Sequence, residues 1–64
     1  MYYKLKGKRV EQGLTQEYIS KKLNIDKSAY ARKENGQVQF RLDEVKKILE
    51  ILNCNFEDIF LDSK

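Results

Sequence analysis

Residues 14–36 read LTQEYISKKLNIDKSAYARKENG, and two short helical patterns meet there at Asn24-Ile25-Asp26. The first opens with Thr15, whose hydroxyl can accept a hydrogen bond from the unpaired N–H groups of a helix start. Ile19 and Leu23 follow four apart, on one face. The second opens with Asp26, another capping residue, and ends before Asn35-Gly36, residues that tolerate the left-handed backbone that closes a helix. Its outward positions carry Lys27, Ser28, Arg32 and Lys33. Two capped helices of about eight residues, joined by a tight turn, make a helix-turn-helix, predicted over residues 15–34 with its second helix at 27–34. Asn24 stands at the sharp bend, where asparagine substitutes for glycine in the left-handed region. Ile25 is expected to drop into the core. Tyr30, five residues on, is read as the inward anchor of the second helix. A base or sugar contact is the alternative for Tyr30, and it ranks second because outward roles already have candidates on that helix.

Working outward, a first helix is predicted from about Tyr3 to Gln12, closed by Gly13, with Leu5 and Val10 buried and Tyr2 or Tyr3 packed at its start. Gly7 lies inside it and costs about 1 kcal/mol relative to alanine. Lys4, Lys6 and Lys8 are read as solvated. After Gly36 comes a short connection, Gln37 to Arg41, and then the longest periodic segment. Leu42, Val45, Ile48, Leu49 and Leu52 form a helical stripe that Ile51 widens. Asp43 and Glu44 in its first turn suit the positive end of the helix dipole. Asn53-Cys54 breaks that helix. Asn55 caps a last short one carrying Phe56, Ile59 and Phe60, with Asp58 three residues on as the acid of a capping box. Leu61 and Asp62-Ser63-Lys64 are expected to fray. The fold class is all-α: a compact five-helix bundle forming one domain over residues 1–64.

Sixty-four residues, 41% hydrophobic and 36% charged, describe a small globular domain rather than a disordered chain. No apolar run approaches the roughly 20 residues needed to span a bilayer, and the start Met1-Tyr2-Tyr3-Lys4 does not resemble a signal peptide. The expected location is cytoplasmic. Cys54 is the single cysteine and there is no histidine, so neither an internal disulfide nor a zinc site is expected, and no cofactor is implied. The same absences, with no glycine-rich phosphate loop, argue against an enzyme. Net charge is +3, unevenly spread. Residues 1–41 hold ten Lys+Arg against four Asp+Glu, and residues 42–64 hold three against six. A basic part containing the helix-turn-helix and an acidic remainder is the polarity of a molecule with one side toward phosphates.

The run Arg9-x-x-x-Gly13-Leu14-Thr15-Gln16-Glu17-x-Ile19-x-x-x-Leu23-x-Ile25, then Glu34-Asn35-Gly36, resembles the Xre-like family of helix-turn-helix regulators, which includes phage repressors and Cro proteins. The segment from Leu42 to Phe60 matches the family's fourth and fifth helices. The resemblance implies a third helix that enters the major groove of double-stranded DNA. It places the base-reading positions on Lys27, Ser28 and Arg32, with Ala31 able to touch a thymine methyl. Gln16 falls on a position that meets phosphate and supports base contacts, with Thr15, Asn35 and Arg41 as further phosphate or supporting residues. Arg9 and Glu34 fall on positions that pair and tie helix one to the end of helix three. The chain also departs from the pattern. Lys33 stands where a large apolar or aromatic residue is usual, which implies a looser or more exposed helix end. Gln37 replaces a frequent cation, Phe40 a frequent proline, and Arg41 a serine-like cap.

The expected function is sequence-specific DNA binding by a transcriptional regulator, a repressor, acting as a homodimer on a two-fold operator, because one domain this small covers too little DNA for tight selective binding. Phe56 to Leu61 and Tyr2-Tyr3 are the candidate dimer surfaces, with closure of the core as the equal alternative for their apolar residues. Protein interaction is the alternative: an antitoxin-like adaptor on the same fold with weak or lost DNA reading.

Overall fold

The computed structural model describes residues 2–61, so Asp62, Ser63 and Lys64, expected to fray, lie outside the described residues. Five helices follow one another: α1 Tyr3–Glu11, α2 Gln16–Leu23, α3 Lys27–Glu34, α4 Leu42–Leu52 and α5 Phe56–Phe60. Thr15 caps α2 as its chemistry predicts, its Oγ1 accepting the Tyr18 N–H at 3.0 Å. Asp26 sits at the start of α3 in extended conformation but makes no side-chain cap bond. Arg41 precedes α4 and has no acceptor to offer. There the Glu44 carboxylate reaches back instead to the Arg41 N–H at 2.8 Å, as Asp58 does to the Asn55 N–H at 2.9 Å at the start of α5.

The first four helices close the same way. Gly13, Asn24, Gly36 and Asn53 all have positive φ, between 55° and 84°. In each case the amide one residue further on bonds back into the last turn: Leu14 to Arg9, Ile25 to Ser20, Gln37 to Arg32, and Cys54 to Leu49. Asn35 does not share this role; its φ is −77° and Gly36 makes the turn alone.

The core is Leu5, Ile19, Leu23, Tyr30, Ile48, Leu52, Ile59 and Phe60, with Tyr2, Leu14, Ile25, Phe40, Val45, Leu49, Ile51 and Cys54 packed around it. Two apolar expectations fail. Val10 is 58% exposed, because the inward face of α1 carries Leu5 and, four residues on, Arg9. Leu42 is 73% exposed: it is the first residue of α4, and the core beside it is closed by Phe40. That ring lies 5.6 Å from Tyr2, 6.1 Å from Tyr30 and 5.5 Å from Phe60, centre to centre. An aromatic residue in a connecting loop thus does the packing expected of the helix start. Tyr2 takes the place at the chain start, its N–H also bonding the Glu34 carbonyl at 3.1 Å, while Tyr3 is exposed. Gln12 donates to the Leu52 carbonyl at 2.8 Å and so ties the end of α1 to the end of α4.

Candidate nucleic-acid interface

The eight residues of α3 divide sharply. Tyr30, Lys33 and Glu34 are buried, Lys27, Ser28 and Arg32 are exposed, and Ala31 is half-buried. Spacing explains the division, since 30, 33 and 34 share one side of a helix while 28, 31, 32 and 35 share another. Lys27 lies one turn before Ala31, and Asn35, also exposed, extends the outward row. Neither Lys27 nor Arg32 enters an ion pair among the described residues. A guanidinium in that position has its forked donors available for a guanine edge or a phosphate.

The inward side is held by the Glu34 carboxylate, which has no exposure. Arg9 approaches it with two nitrogens, Nε at 2.9 Å from Oε2 and Nη2 at 3.1 Å from Oε1. Tyr30 donates its hydroxyl to Oε2 at 2.9 Å. Gln16 donates Nε2 to Oε1, also at 2.9 Å. Burial by itself disfavours the Glu34 charge, but the bonds from Arg9, Gln16 and Tyr30 outweigh it and hold the carboxyl below its ordinary value. Burial, then the neighbouring carboxylate, pushes the Tyr30 hydroxyl well up, so it stays a donor. Arg9 also reaches the Leu14 carbonyl with Nη1 at 2.8 Å, and this one side chain therefore joins α1, the turn before α2, and the end of α3.

Gln16 is thus not a loose surface amide; its nitrogen is committed to Glu34 at the start of α2, beside the cap made by Thr15. Arg41 is exposed, with Nε 3.5 Å from Asp43 Oδ1. An exposed pair of that length is weak and screened, so a phosphate can displace the aspartate. Ser28 is exposed and stands open on the outward row.

Lys33 corrects the expectations of an outward position and of a loose helix end. It is only 8% exposed, and its ammonium lies 3.0 Å from Glu44 Oε1 and 3.2 Å from the Gln39 carbonyl, to which it donates. Glu44, read from sequence as a helix-dipole residue alone, is buried with it. Opposite charges eleven residues apart, across a loop, leave no periodic signal, and this pair is legible only once the loop is folded.

Five short helices around one core among the described residues, with α2 and α3 meeting at a left-handed asparagine, define a helix-turn-helix protein. The model of the helix-turn-helix family matches residues 5–59. The chain belongs to that family, the Xre/Cro-like group of DNA-binding regulators. Comparison with curated proteins yields no match. No helix among the described residues is long and apolar enough to cross a membrane, and none of them form a group of three or more His, Cys, Asp or Glu able to hold a metal.

Proposed function

We propose that the chain is a sequence-specific double-stranded DNA-binding repressor that reads the major groove with α3. The observation that carries this reading is the division of α3. Tyr30, Lys33 and Glu34 lock one side into the framework, leaving Lys27, Ser28, Ala31 and Arg32 as an outward row with two cations outside any described ion pair. Arg32 is assigned bidentate contact with guanine and Lys27 a guanine or phosphate contact. Ser28 and Ala31 are short enough to let the helix approach, with Ala31 against a thymine methyl. Gln16, Thr15, Asn35 and Arg41 flank the row as phosphate or supporting residues, and residues 1–64 act as one DNA-binding domain. A pair of copies on a two-fold operator supplies the contact area that one copy lacks. The setting is cytoplasmic.

Selection of bound sequences from a random duplex pool tests this directly: the expected result is a two-fold motif. Arg32→Ala should then cost roughly 1–3 kcal/mol and relax preference at one base pair of each half-site. A pool that shows no enrichment would abandon DNA reading. It would favour the adaptor reading, to which exposed apolar side chains such as Tyr3, Leu42, Phe56 and Leu61 offer contact surface.

A further inference from the structure

The Lys33–Glu44 pair is buried at a place where two apolar side chains would fill the space with less desolvation cost. What an apolar pair cannot do is direct the backbone, and these two side chains do so from both directions. Lys33 Nζ donates to the Gln39 carbonyl at 3.2 Å, and Glu44 Oε1, itself 3.0 Å from that ammonium, accepts the Arg41 N–H at 2.8 Å. Between the two gripped residues, Phe40 is anchored among Tyr2, Tyr30 and Phe60. Residues 39–41 are therefore fixed by three separate contacts, two of them to the ion pair. The same loop leaves Gln37, Val38 and Gln39 exposed and ends in the exposed Arg41 guanidinium. One end of the ion pair belongs to α3, immediately after Arg32, so the loop is tied to the same helix that carries the reading row.

We infer that Lys33 and Glu44 are positioning residues that fix the 39–41 backbone relative to α3, so that Arg41 meets a DNA phosphate in register with the bases that α3 reads. This rests on the DNA-reading proposal above. The ion pair acts through Arg41 and touches no DNA itself.

The test compares parent, Lys33→Met/Glu44→Leu, Arg41→Ala and the triple variant on the selected operator, measuring affinity from about 50 to 200 mM salt together with urea unfolding. Arg41→Ala is exposed and leaves the fold intact. It should weaken binding several-fold at low salt and make the salt slope shallower by roughly 0.9, the share of one phosphate contact. The apolar double variant gives up the Glu44 bond to the Arg41 N–H but leaves no buried charge, so it should still unfold cooperatively. It should show the same loss and the same shallower slope, with Arg41→Ala adding nothing in that background. Lys33→Arg, which keeps a donor and a charge, should bind nearly as the parent does.

An apolar double variant that folds and binds like the parent would overturn the positioning role while leaving DNA reading standing. So would an Arg41→Ala change without effect, or losses that simply add. A double variant that does not fold assigns the pair to the core and also overturns the role. A parent that binds no duplex at any salt removes the DNA reading itself, and the inference with it.

Discussion

Glu34 accepts bonds from three side chains that begin in three different helices, and its loss should be felt beyond its own helix. Glu34→Ala strands the buried Arg9 charge and should lower unfolding free energy by about 3–5 kcal/mol, a large part of what so small a domain possesses. Arg9→Met/Glu34→Leu, with no charge left behind, should lose less; urea unfolding of the two variants gives the comparison. The pH dependence follows from the lowered carboxyl. Its ordinary value is 4.5 and its folded value lies below that. The stability it contributes is therefore fully present above about pH 4.5 and disappears as pH falls through the folded value. Unfolding measured from pH 7 down to pH 3 should show a decline that Glu34→Gln flattens. At this scale the sequence was only partly legible. Arg9 and Glu34 stand 25 positions apart and were paired through the family pattern, not through any local signal. The entry of Gln16 and Tyr30 into the same carboxylate depends on how α2 and α3 cross, which no spacing encodes.

Helix boundaries were far easier to read than helix faces. Thr15, Asn24, Gly36, Asn53 and Asn55 stand where the chain starts or stops a helix because their side chains, or the lack of one, change local backbone energetics without help from distant residues. The predicted spans of α3 and α4 accordingly match those observed, and α2 and α5 begin directly after Thr15 and Asn55. Faces depend on what packs opposite. Val10 and Leu42 followed the apolar pattern yet lie exposed, since Arg9 holds the inward place on α1 and Phe40 closes the core beside α4. One residue inside an element invites a direct test. Gly7 is exposed in the middle of α1, and a Cβ built there meets nothing within 4 Å. Gly7→Ala should raise stability by about 0.5–1 kcal/mol through helix propensity and a less flexible unfolded chain. A thermal melt should rise; a fall would mean that α1 needs the glycine for a reason its packing does not show.

Across the whole molecule, the excess of basic residues before position 42 and of acidic residues after it predicts binding to duplex through one side, with affinity falling steeply as salt rises. Lys27→Ala separates the two contacts assigned to it: a phosphate contact predicts weaker binding to every sequence and a salt slope reduced by roughly 1, a guanine contact a base-specific loss like that expected for Arg32→Ala. Titrating protein into a single operator should saturate at two copies, and a half-operator should bind much more weakly. Charge asymmetry and fold class were legible because they sum over many residues. The junction of α3, its loop and α4 was not, because Lys33 and Glu44 make sense only as a pair that also grips backbone.

That junction limits how freely α3 can be transplanted. A graft of the whole segment 27–34 onto a related framework would carry Lys33 away from Glu44 and leave an ammonium buried with nothing to neutralise it. A graft confined to positions 27, 28, 31 and 32 leaves Tyr30, Lys33 and Glu34 with their native partners. On the proposed reading of DNA by α3, the portable unit of specificity is four side chains on a surface, and the helix beneath them belongs to the framework.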